Sequence, residues 1–64
     1  MSDTVEQLKN AFANFLAEDE RFTTKGVKAS AARARKALGE MTKLAKVRRK
    51  EIQDAKLAAA QKTA

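Results

Sequence analysis

The sequence predicts an all-α protein: an antiparallel helical hairpin with a long basic second helix, assembling as a dimer. Three observations predict it. Apolar residues recur at steps of three, four and seven in two stretches, the spacing of one face of a helix. The chain has no proline, and Gly26 stands between the two stretches. At 64 residues a lone hairpin buries only about 60% of its unfolded surface, so stability is shared with a second chain. The whole reads as one domain, residues 1–64. Helix one covers about 3–23, helix two about 27–60, and Gln61 to Ala64 fray.

Helix one opens with Asp3 as a cap and Glu6 three positions on, the capping-box spacing. Val5, Leu8, Phe12, Phe15, Leu16 and Phe22 follow as one stripe holding all three aromatic residues. Aromatics that stack on bases sit among basic groups, and these do not, so the stripe is assigned to a core or oligomer interface. Glu18, Asp19 and Glu20 lie near the C-terminal end, where the helix dipole disfavours carboxylates. Two readings stand for them: compensation by the arginines that open helix two, or an exposed acidic turn. β-branched Thr23 and Thr24 weaken the helix next, and Gly26 can take the left-handed conformation that ends it.

Helix two is rich in alanine and carries most of the positive charge. On a helical wheel centred on Met41, one side gathers Ala34, Leu38, Leu44, Ala45, Ile52 and Ala55. Lys25, Lys28, Arg35, Lys36, Lys43, Lys46 and Lys50 gather opposite, with Lys36, Lys43 and Lys50 in one row at every seventh position. Gly39 falls on the basic side, where a missing side chain lets another backbone approach. Arg48 falls on the apolar seam and is expected either to reach past it to water or to meet a carboxylate, with Asp3 or Glu6 near its level. Helix two spans roughly 50 Å against roughly 30 Å for helix one. With the turn near residue 25, Val5 lies level with about Ala45, and everything beyond Val47 overhangs. Ile52, Ala55 and Ala59 then form an unpaired apolar line, which argues for a second chain.

Composition narrows the function. The chain has no cysteine and no histidine, so thiolate or imidazole metal sites and a histidine base are excluded. Its serines are Ser2 and Ser30, neither beside an activating base, and consecutive Glu18, Asp19 and Glu20 fan around the helix rather than pairing. Not an enzyme and no cofactor is the reading. The N-terminus lacks a signal-peptide pattern and no apolar run approaches the ~20 residues of a membrane span, so a cytoplasmic protein without a membrane partner is expected.

Net charge is +6 and uneven. Residues 1–24 hold two basic against five acidic groups, a net −3, while residues 25–64 hold twelve against three, a net +9. A basic helix face of this kind suits a polyanion and releases counterions from phosphates. It carries no aromatic residue and no asparagine, with Gln53 its one bidentate amide, so double-stranded DNA bound without sequence preference is the expected partner. Membrane-surface binding usually wants large apolar groups opposite the charges, and helix two offers mostly alanine. The alternative is a helical oligomeric module that binds an acidic protein partner.

Lys25-Gly26, Lys28-Ala29, Arg33, Arg35-Lys36, Leu38, Glu40, Leu44-Ala45 and Arg49-Lys50-Glu51-Ile52-Gln53 resemble the helix of the chlamydial-type histone-like proteins, small bacterial nucleoid proteins. Helix one, with Leu8, Phe22 and its acidic end, is similar in layout, so the resemblance covers about residues 5 to 56. It implies non-specific DNA binding and chromosome compaction, a nucleoid-associated location, and contacts by Lys25, Lys28, Arg33, Arg35, Lys36, Arg49 and Lys50; the wheel adds Lys43 and Lys46. The assigned core or oligomer set is Val5, Leu8, Phe12, Phe15, Leu16, Phe22, Leu38, Met41, Leu44 and Ile52, in a homodimer or higher homo-oligomer. Val27 and Arg48 depart from the family pattern, which has a polar and an apolar residue there, and the Lys/Ala/Pro-rich tail of the chlamydial members has no counterpart in these residues.

Overall fold

Two helices make up the computed structural model, which describes the backbone of residues 3–63 and the side chains of residues 3–60. α1 runs Asp3–Lys25 and α2 runs Lys28–Thr63, packed against one another as an antiparallel hairpin. The all-α hairpin is as the periodicity implies. α2 continues past Ala60, while Ala64, the last residue expected to fray, lies outside the described residues.

α1 carries Asp3 and Glu6 in its first turn, at the positive end of the helix dipole, and Lys25 in its last. Thr23 and Thr24 fold their hydroxyls back onto the carbonyls of Asp19 and Glu20, at 2.9 and 2.6 Å, so the last turn is held locally. Gly26 then takes φ 69°, and its N–H donates to Phe22 O at 2.9 Å, closing the helix with a left-handed residue. Two residues suffice for the reversal, because Val27 O already accepts from Ser30 N at 3.1 Å as α2 begins.

The seam between the helices is narrow and mostly small-residued. On α1 it follows Thr4, Leu8, Ala11, Phe15 and Glu18; on α2 it follows Ser30, Ala34, Ala37, Met41, Leu44, Arg48 and Glu51, all buried or half-buried. Steps of four and three alternate in both series, the signature of a coiled-coil seam. Ala34, Ala37 and Ser30 are the most buried positions of α2, at 6%, 4% and 0% exposure, so the backbones close tightly there. Each alanine methyl contributes only about 0.8 kcal/mol, which keeps the hairpin's own stability modest.

Burial departs from the expected stripe in a definite way. Val5, Leu8, Phe15, Met41 and Leu44 are half-buried, but Phe12, Leu16, Phe22, Leu38 and Ile52 remain 43–53% exposed. A two-helix seam covers about two positions in every seven, whereas the apolar stripe of α1 is wider than that. The excess falls to one side. The residues immediately after seam positions Thr4, Ala11 and Glu18 are Val5, Phe12 and, toward the turn, the charged Asp19; those after Ser30, Ala37, Leu44 and Glu51 are Ala31, Leu38, Ala45 and Ile52. Apart from Asp19, and with Leu16 beyond Phe12, they make an apolar flank along one side of the hairpin. The other flank is polar: Asn14, Arg33, Lys36 and Glu40 line a shallow depression there with Glu18 and Ala37 of the seam.

The register also differs from the expected one. Thr4 Oγ1 donates to Glu51 Oε2 at 2.6 Å, so pairing extends to Glu51 rather than ending near Val47. The turn is centred on Gly26 and Val27 instead of residue 25, and each residue of displacement shifts the partner by two. Val5 is therefore level with the stretch Arg48 to Lys50, and Phe12 with the stretch Met41 to Lys43. What overhangs is the stretch after Ile52, and every described side chain from Ile52 to Ala60 is exposed.

Candidate nucleic-acid interface

The outer face of α2 is built by exclusion. Once Ser30, Ala34, Ala37, Met41, Leu44, Arg48 and Glu51 face α1, helical geometry sends Lys28, Arg35, Lys36, Lys43, Lys46, Arg49 and Lys50 to the opposite side, and all are exposed. Lys36, Lys43 and Lys50 repeat at about 10.5 Å along the axis, and Lys28 to Lys56 spans roughly 42 Å of it. Gly39 lies on the crest of this face, where an added Cβ would meet nothing within 4 Å. Lys46, Arg49, Lys50 and Gln53 line an open depression with Ile52, at the level where α1 begins.

Ion pairing sorts these cations. Lys28, Arg35, Lys36, Lys43, Lys46 and Arg49 have no carboxylate within 4 Å among the described residues. Lys50 meets Asp54 at 3.2 Å, one turn along, with both side chains well exposed, so the pair is weak and readily exchanged for a phosphate. Lys25, in the last turn of α1, is exposed beside the turn. Arg33 is placed differently from the rest. It sits on the polar flank with Nη1 3.7 Å from Glu18 Oε1, while Arg21 approaches the same oxygen at 3.8 Å. As the first of the two readings of the acidic cluster has it, an arginine opening helix two does approach Glu18, which is only 8% exposed, but at a distance that leaves Oε1 without a hydrogen bond.

Arg48 lies in the seam as its sequence position implies, but its carboxylate comes from its own helix. Glu51 Oε1 accepts from Arg48 Nη1 at 3.0 Å, neither Asp3 nor Glu6 being the partner. Glu6 instead faces Lys9 at 3.8 Å. Glu51 thus joins Thr4 of α1 to Arg48 of α2 and clasps the open end of the hairpin. Sequence reasoning missed this clasp; the signal was the alternation of four and three that carries Thr4 and Glu51 into the seam. It also left Lys56 out of the basic set, although Lys28, Arg35, Arg49 and Lys56 share one seven-residue series, and Lys56 is exposed.

Among the described residues the arrangement offers a ridge of cations along one helix face, with few groups that could read a base edge. A row of cations can meet several phosphates at once, and contacts to phosphate carry no sequence information. Among the described residues no helix is long and apolar enough to cross a membrane.

A family model described as histone H1-like protein Hc1 matches residues 2–58. No curated protein and no solved structure matches the chain.

Proposed function

The chain belongs to the histone H1-like protein Hc1 family, a family of DNA-binding nucleoid proteins, and we propose that it binds double-stranded DNA without sequence preference and compacts a bacterial chromosome. One observation carries the reading: six cations from Lys28 to Arg49, without ion-pair partners among the described residues, share the face of α2 that the seam leaves outward. The cations are already in line on one helix face, so binding orders little beyond the side chains. Lys25, Lys28, Arg35, Lys36, Lys43, Lys46, Arg49 and Lys50 make the phosphate contacts, and Arg33 joins them from the flank when a phosphate outcompetes Glu18. The apolar flank of Val5, Phe12, Leu38 and Ile52 supports a homodimer, since its exposed side chains have no cover within the hairpin.

The test is a gel shift on unrelated duplexes with the wild-type chain and the variant Lys43→Glu with Lys50→Glu. Equal affinities across duplexes are expected for the wild type, with about tenfold or greater weakening in the variant. Circular dichroism should stay unchanged, because neither side chain packs on α1. Undiminished binding by the variant contradicts the assignment of this face.

A further inference from the structure

We propose that two copies pair through the apolar flank with α2 of each lying over α1 of the other, so that the two basic faces point in opposite directions and one dimer bridges two duplexes. The proposal rests on the DNA-binding reading above and adds the geometry of the partner, a second copy of this chain.

Two flat hairpins meeting flank to flank admit two two-fold arrangements. An axis parallel to the helices sets α1 over the partner's α2, with both turns at the same end. An axis across the helices stacks α1 on α1 and α2 on α2. Charge separates them. Residues 25–64 carry a net +9 and residues 1–24 a net −3, so like-on-like stacking places two strongly basic helices side by side, whereas the crossed arrangement sets each against an acidic one.

Register and shape favour the same choice. Thr4 pairs with Glu51 within the hairpin, and an axis parallel to the helices preserves level between protomers. Arg35 then comes level with the partner's Glu20, and Arg49 with the partner's Glu6. On the flank itself Phe12 comes level with about the partner's Lys43, which leaves the partner's Ala45 the nearest flank residue, large against small, and Val5, level with about the partner's Lys50, has the partner's Ile52 nearest. The other axis, centred on the same patch, sets Phe12 on its own copy and Val5 against the partner's Asp19. In the crossed dimer the outer face of α2 turns away from that of its partner, and no single straight duplex can lie on both. Two duplexes can.

The chain has no cysteine, so introduced ones report directly. Phe12→Cys mixed with Ala45→Cys should form a disulfide-linked heterodimer under mild oxidation, while either alone links poorly. Leu16→Cys with Thr42→Cys, both exposed, provides a second pair should the first weaken the fold, and circular dichroism verifies helicity in each. Preferential self-linking of each single variant overturns the crossed arrangement, as does sedimentation of the wild type as a monomer at micromolar concentration. Bridging is read by capture of a fluorescent duplex on beads bearing a second duplex. Wild type should capture it, and Phe12→Asp should lose capture at least about tenfold while still shifting a single duplex in gels. A wild-type chain that shifts single duplexes but captures no second one overturns bridging; one that does neither overturns the DNA-binding reading instead.

Discussion

Glu18 and Glu51 occupy equivalent positions at the two ends of the seam, and each has arginine nearby, yet they do opposite things. Glu51 accepts two short hydrogen bonds, from Thr4 at 2.6 Å and Arg48 at 3.0 Å, with its side chain 36% exposed. Glu18 is 11% exposed in its side chain, its arginines stand off at 3.7 and 3.8 Å, and its Oε1 accepts no hydrogen bond. A charge withdrawn from water is compensated only when its lone pairs are met at close range. The open end of the hairpin is therefore fastened by its carboxylate. At the closed end the turn does the fastening, and the carboxylate is tolerated. The same residue type at the same kind of position differs in sign because of about 0.7 Å in the approach of an arginine.

The largest way to break this comparison is Glu51→Ala. It removes the Glu51 carboxylate from the Thr4 hydroxyl and from Arg48, and so unfastens the two helices at the open end. A loss of about 2 kcal/mol is expected in urea unfolding followed by circular dichroism. A change below a few tenths would show that the clasp contributes nothing.

Next comes the turn. Gly26→Ala forces a side chain into φ 69° and should cost about 1–2 kcal/mol although an added Cβ meets no atom within 4 Å. Gly39→Ala, equally unobstructed but in regular helix, should stabilise by about 0.5–1 kcal/mol in the same measurement. Two effects of the same sign would refute the claim that backbone conformation, rather than space, separates the two glycines.

A change of similar size, at the buried carboxylate itself, separates the two ends of the seam. Glu18→Leu removes a desolvated carboxylate while Arg21 and Arg33 keep their exposed heads in water, so a gain of about 1 kcal/mol in thermal or urea unfolding is expected. Destabilisation of similar size would mean that the long ion pairs to Glu18 outweigh its desolvation.

How much of this was legible in the sequence depends on which side chains decide the matter. The hairpin was, because two amphipathic stretches and one glycine leave few other solutions. The basic face was legible too, since lysines at every seventh position stay in line wherever the helix packs. The seam was not. Hydrophobicity alone nominates Phe12, Phe22 and Ile52, but the helices close where Ala34, Ala37 and Ser30 let backbones approach, and that line carries Thr4 and Glu18 inward with it. Arg48 shows the same limit: its place in the seam follows from spacing, while its choice of Glu51 over Asp3 or Glu6 depends on a two-residue turn that sets the register.

The outward face of α2 is proposed to hold DNA by charge and nothing else. Affinity for a plain duplex measured from low to moderate salt tests it most directly. With about five phosphates engaged per protomer, log K should fall against log salt with a slope near about −4.5, and the same slope should appear on duplexes of unrelated sequence. A slope near zero, or a strong preference for one duplex that survives added salt, would contradict it.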